Sequence, residues 1–283
     1  MCTKSYGKGD KTLEGNIVTA FGLTLFAGLA TGIGSFVVFF QKKPSLRLLS
    51  VGLGFSSGVM VFISLAELLP DGIEQVEHEL GEGIGGWVAT GCFFGGILLS
   101  AIIDRLVPDA ENPHEVVPQE SIELASGGST EDAKGRALAR LGLLSALAIA
   151  IHNFPEGMAT FVAAMTDTSL GISIAIAVAI HNIPEGIAVA VPVYFATKNR
   201  GKAFLHSFAS GLAEPLGAVV VFLLLRPFIN GAVVGGLLAL VGGVMVFISF
   251  DELLPTAREY GKGHDAIAGV VAGMAVMAVS LLL

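Results

Sequence analysis

Two short segments, residues 152–157 (HNFPEG) and 181–186 (HNIPEG), each bring an imidazole, an amide and a carboxylate together at the same spacing. In each, His and Glu stand four residues apart and so share one face of a helix, with Asn about a quarter-turn away. A third acid, Glu214, lies in residues 210–217 (SGLAEPLG). Imidazole nitrogen with amide and carboxylate oxygen, and no thiolate, suits Zn²⁺, Fe²⁺, Mn²⁺, Co²⁺ or Cd²⁺ and disfavours Cu⁺. The candidate ligands are His152, Asn153, Glu156, His181, Asn182, Glu185 and Glu214. This many leaves room for two ions, with Glu side chains bridging them. Thiolate and disulfide chemistry is unsupported, because Cys2 and Cys92 are the whole cysteine complement and no CxxC occurs. The alternative to ion passage is an intramembrane zinc metalloenzyme, whose water-activating helix reads HExxH; the chain has no such motif. A proton-coupled carrier of a non-metal solute is a further alternative, but it leaves the paired His and Asn with less to do.

The elements that carry these residues are membrane spans. Of the 283 residues 53% are hydrophobic and 14% charged, against about a quarter charged in soluble domains. Apolar runs recur at the length needed to cross a bilayer. The 37 Gly fit close backbone packing between spans, as in the small-residue face of Ala27, Gly28, Thr31 and Gly32. The pattern predicts an all-α membrane protein with eight transmembrane helices at 17–40, 48–70, 84–103, 138–165, 169–195, 203–225, 232–254 and 264–283. The run 17–40 is too long for a signal-peptide core and has no cleavage site. Residues 1–16 form a polar leader and 104–137 an acidic, Pro/Ser/Gly-containing cytoplasmic loop too polar to bury a core. Of the 16 basic residues only Lys4, Lys8, Lys11 and Arg226 fall on the leader's side. The side rich in Lys and Arg should be cytoplasmic, which makes both termini extracytoplasmic. The net charge of −8 argues against nucleic acid as a partner.

His152, His181 and Glu214 fall near the centres of their spans. Three carboxylates at that depth would cost roughly 8–10 kcal/mol if left unpaired. No Lys or Arg lies at the same depth, so a divalent cation or protons must neutralise Glu156, Glu185 and Glu214. Pro155 and Pro184 free the carbonyls of Ile151 and Ile180, which in lipid need a cavity with water or metal. Residues 59–74 (VMVFISLAELLPDGIE) recur as 244–259 (VMVFISFDELLPTARE), on spans that run in opposite directions. The HNxPEG pair likewise falls on adjacent antiparallel spans. Copies on oppositely directed helices imply an inverted repeat, here 3+2+3: 17–103 (spans 1–3) related to 203–283 (spans 6–8), flanking the metal-binding pair 138–195.

HNFPEG and HNIPEG on spans four and five, with SGLAEPLG on span six, resemble the ZIP (Zrt/Irt-like) metal transporters, and in particular their GufA-like bacterial branch. The resemblance covers the chain from the first span to the last. It implies an eight-helix fold, divalent metal uptake towards the cytoplasm across the inner membrane, and ligation by the residues at 152, 153, 156, 181, 182, 185 and 214. It also implies an elevator-like movement of one helix group against the other. The His-rich loop of many members is absent; His114 is the one histidine between spans three and four. Zinc, iron or cadmium would then be bound as substrate, with no cofactor. Partners reduce to divalent ions and membrane lipid, with a homodimer left open.

Matching carboxylates mark the two mouths. Glu67 precedes Pro70 near the outer end of span two, and Asp251 and Glu252 precede Pro255 near the inner end of span seven. Met60 and Ser64 extend the Glu67 face inward, while His206 and Ser210 share a face of span six with Glu214. For these entrance and exit positions, capping or polar packing explains the residue types as well as ion passage does. The segment 71–83 carries six acidic or His side chains without a basic one and reads as a solvated outer loop.

Overall fold

A computed structural model describes residues 13–40, 46–106, 131–225, 228 and 230–282. The chain is helical along these stretches. Helix α1 spans Leu13–Ser35, followed by one short turn, Val37–Phe40. Helix α2 runs Leu46–Leu80, α3 Ile84–Leu106, α4 Glu131–Thr166 and α5 Thr168–Thr197. Helix α6 is broken at Leu212 into Arg200–Gly211 and Ala213–Leu225; α7 covers Gly231–Tyr260 and α8 Asp265–Ser280. Asp167, Asn199 and Asn230 start α5, α6 and α7, their side chains accepting first-turn N–H groups at 2.7–3.2 Å. Most of the leader and residues 107–130 of the expected 104–137 loop lie outside the described residues; 13–16 already belong to α1 and 131–137 to α4.

Among the described residues, six helices are long and apolar enough to cross a membrane. Helix α8 is shorter, at 16 residues. Large apolar side chains such as Trp87, Leu98, Leu223 and Val271 face outward, as hydrocarbon-facing surface does. Two expectations change in detail. Helix α2 does not stop near residue 70, and 71–83 is not a loop: Leu69–Leu80 is a helix that buries Gly72 and Val76 and turns Glu74, His78 and Glu79 outward.

The repeated sequence VMVFIS…ELLP takes the same local form twice. Each copy ends an α-helix at Ile63 or Ile248, passes through one π-helical turn (Ser64–Leu68 or Ser249–Leu253), and resumes with Pro in its first turn. Leu69 and Leu254 donate to the carbonyls of Ser64 and Ser249, the wide π pattern that accommodates an extra residue. The surrounding contacts recur as well. A methyl on Gly58 would strike the Val270 carbonyl, as one on its partner Gly243 would strike that of Phe93; Gly273 meets the Phe55 carbonyl as Gly96 meets that of Leu240. In the other half, Gly186 abuts the Thr31 carbonyl as Gly157 abuts that of Glu214, and Gly28 and Gly211 face each other directly. Absent side chains let these backbones touch, which is where spans without a hydrophobic drive gain their packing.

The helices sort into two groups. One comprises α1, α4, α5 and α6, the other α2, α3, α7 and α8; α2 against α5 and α7 against α4 form the boundary between them. Helices α2 and α7 run antiparallel, since Ser50 donates to Ala257 O at 2.6 Å and Ser57 to Ser249 O at 3.2 Å.

Candidate metal centre

Helices α4 and α5 lie side by side after the tight turn at Asp167, so the two HNxPEG segments meet. Both helices continue through Pro155 and Pro184. Glu214 joins them because α6 breaks at Leu212 and restarts with Glu214 and Pro215 in its first turn, where the missing proline N–H costs nothing. All seven residues singled out from the sequence are buried, none more than 1% exposed.

Glu156 Oε1 lies 3.3 Å from His152 Nε2 and 3.1 Å from His181 Nε2, and Glu185 Oε1 lies 3.3 Å from His152 Nε2. His152 Nε2 is close to both carboxylates yet aligned for a hydrogen bond with neither. Ligands around a four-coordinate zinc at about 2.0–2.1 Å stand roughly 3.3–3.4 Å apart, so these separations are those of a tetrahedron's edges. His152, Glu156 and Glu185 each offer a ligand atom within 4.8 Å of the others.

The asparagines complete the picture through what they leave over. Asn182 Nδ2 donates to Ala27 O at 2.9 Å and to Glu214 Oε1; Asn153 Nδ2 donates to Ser210 O at 3.4 Å. A backbone carbonyl demands the NH₂ end of each amide, which fixes the flip. Both Oδ1 atoms then have no hydrogen-bond partner, and neither do Oε2 of Glu156, Glu185 and Glu214. Buried polar atoms are ordinarily paired. Five oxygen acceptors left over beside two imidazoles in one buried cluster are a donor set suited to a cation.

The entrance and exit residues behave differently from these seven. Met60 and Ser64 are fully buried on α2, and Ser64 Oγ has no partner, whereas its repeat counterpart Ser249 donates to Met245 O at 2.7 Å. Glu67 is half-buried in the first π turn; Asp251 is exposed and Glu252 partly so in the second. None of these three reaches the cluster's ion pairs. His206, partly exposed, donates from Nδ1 to Lys202 O at 2.8 Å. Ser210 comes nearer to the cluster than its sequence position implies, since its carbonyl holds Asn153.

Sequence reasoning missed Ser56, whose hydroxyl on α2 lies 3.0 Å from Glu185 Oε1, and the Ala27 carbonyl on α1. It also missed Thr160, buried one turn from Glu156 with Oγ1 unpartnered. The His152–Glu156 period of four extends to Thr160 and was a usable signal; for Ser56 there was none.

Comparison with known proteins agrees with the geometry. A family model described as "ZIP Zinc transporter" matches residues 15–123 and 108–281. A protein of Corynebacterium efficiens named "Zinc transporter ZupT" is 56% identical over 269 residues, covering 95% of this chain and 98% of the relative. Proteins of the same name from Chlorobium phaeovibrioides and Nitratidesulfovibrio vulgaris are 57% and 53% identical, over 92% and 95% of this chain and 96% and 98% of their own lengths.

Proposed function

The chain belongs to the ZIP zinc transporter family, and we propose that His152, Asn153, Glu156, His181, Asn182, Glu185 and Glu214 are the groups through which its substrate cation passes. The protein is a multi-pass inner-membrane transporter of divalent metal, zinc among them, and not an enzyme. The observation that carries the site assignment is the cluster of imidazole–carboxylate separations at 3.1–3.3 Å, in a place no solvent reaches.

Two ions fit the donor set better than one. His152, Glu156 and Glu185 make one group of ligands, with His181 beside Glu156; the unpartnered Asn153 Oδ1, Asn182 Oδ1 and Glu214 Oε2 are the donors for a second ion, and the Oε2 atoms of Glu156 and Glu185 are free to bridge. Iron, manganese, cobalt and cadmium match the same nitrogen and oxygen donors. The eight-helix reading with both termini extracytoplasmic draws support from the charge asymmetry and from the contacts at either end. Gly231 N donates to Glu79 at one end, and Arg47 pairs with Asp265 at 3.1 Å at the other. Transport would run towards the cytoplasm. The two helix groups supply a carrier (α1, α4, α5, α6), which holds all seven ligands, and a frame (α2, α3, α7, α8), which holds none; that division is what an elevator movement needs. A homodimer and lipid contact would involve the frame's outward apolar face.

The test is zinc flux into liposomes carrying the purified protein alone. Saturable uptake with no other substrate, abolished in Glu185→Ala although the variant inserts normally, is the expected result. Wild-type uptake by Glu185→Ala would overturn the site assignment.

A further inference from the structure

The carboxylate of Glu185 is restrained from outside its own helix group. Ser56 is fully buried on α2, and its Oγ stands 3.0 Å from Glu185 Oε1 and 3.0 Å from the His181 carbonyl. A hydroxyl has one proton to give, and the bond to an ionised acceptor is the stronger. With that proton on Oε1, the same oxygen that stands 3.3 Å from His152 Nε2, the carboxylate is fixed from α2 as well as facing α4, and Oε2 has no hydrogen-bond partner of its own. Glu156 is held otherwise, since its Oε1 faces His152 and His181, which belong to α4 and α5. The repeat also breaks its symmetry here: the residue on α7 that matches Ser56 is Val241, which has no hydroxyl.

We propose that Ser56 is a positioning residue for Glu185, supplied across the boundary between the two groups, so that the grip on the cation depends on how the carrier group stands against α2. The inference rests on the metal-site reading above. A hydrogen bond that orients a ligating carboxylate is typically worth about 10–100-fold in metal affinity. Helices rise about 1.5 Å per residue, so a slide of two residues would carry Oε1 roughly 3 Å along α2 and out of hydrogen-bond reach of Ser56. Affinity then falls as the loaded carrier moves, and the cation leaves more readily at the far side. Ser56 thus converts displacement into release without touching the metal.

The experiment compares variants of the full-length protein by calorimetric zinc binding in detergent and by initial rates of zinc uptake in liposomes. Ser56→Ala should raise both Kd and KM by about 10–100-fold while the maximal rate is kept or increased. Ser56→Thr, which retains the hydroxyl, should restore the wild-type constants. Ser57→Ala is the control: that neighbour donates to Ser249 O inside its own group, so its loss should leave Kd where it was. A wild-type Kd in Ser56→Ala, an increase that Thr does not rescue, or an equal increase in Ser57→Ala overturns the proposal. Glu185→Gln separates the two levels of inference. If it binds zinc normally, the site reading fails; if it loses zinc while Ser56→Ala does not, Ser56 alone is ruled out.

Discussion

Glu156→Gln is the most telling single substitution, because the side chain keeps its size and loses only its charge. Glu156 Oε1 faces both imidazoles, at 3.3 and 3.1 Å, so it is the carboxylate shared most widely in the cluster. Removing one member of a buried charged set costs about 3–5 kcal/mol, which in a bound cation's terms is roughly 10²–10⁴-fold in Kd. The assay is thermal unfolding of the detergent-solubilised protein with and without zinc, beside direct calorimetry. At zinc 1,000 times the wild-type Kd, ligand binding stabilises the wild type by about 4.1 kcal/mol. With Kd raised about 1,000-fold, the same zinc concentration adds only about 0.4 kcal/mol, so the zinc-dependent shift in melting should nearly vanish. Glu67→Gln, altered in the half-buried π turn of α2, should keep the full shift. A zinc-induced shift in Glu156→Gln equal to that of the wild type would refute the reasoning, whatever its effect on transport.

Other outcomes follow from the same geometry. Gly157→Ala would drive its methyl into the Glu214 carbonyl and should cost about 1–3 kcal/mol of stability, seen as a lower melting temperature, while Gly91→Ala, with open space around it, should be neutral. The ligands must be deprotonated to hold metal, so zinc binding should release protons and weaken on acidification; calorimetry in buffers of different ionisation enthalpy measures the number released. Cys92 packs beside Gly236 between α3 and α7, away from the cluster, so Cys92→Ser should leave zinc uptake unchanged in the liposome assay.

Much of the site was legible because its residues repeat. The paired HNxPEG segments and Glu214 declared themselves by polar type at depths where apolar residues are the rule, and the structure buries all seven together. Secondary structure was legible where apolar runs were long. It was misread at 71–83, where acidic composition outweighed the helical spacing of Gly72, Ile73 and Val76 against the core. The two π turns could not be foreseen, since the repeat located the segments but nothing in ELLP specifies a wide turn rather than an α-helical one. Ser56 was hidden for a different reason. A serine in a span is common, and its significance arises only from α2 lying against α5, a tertiary fact no local pattern carries. The orientation of the two amides was hidden likewise, because it depends on carbonyls of α1 and α6.

The central claim is that a doubly charged ion resides among the buried imidazoles and carboxylates. Anomalous diffraction at the zinc absorption edge, from crystals of the zinc-loaded protein, tests it most directly. The peak should fall between His152, His181, Glu156 and Glu185, about 2.0–2.2 Å from nitrogen and oxygen ligands. Zinc found only on outward acids such as Glu74 and Glu79, with the buried cluster empty at saturating metal, would contradict the account.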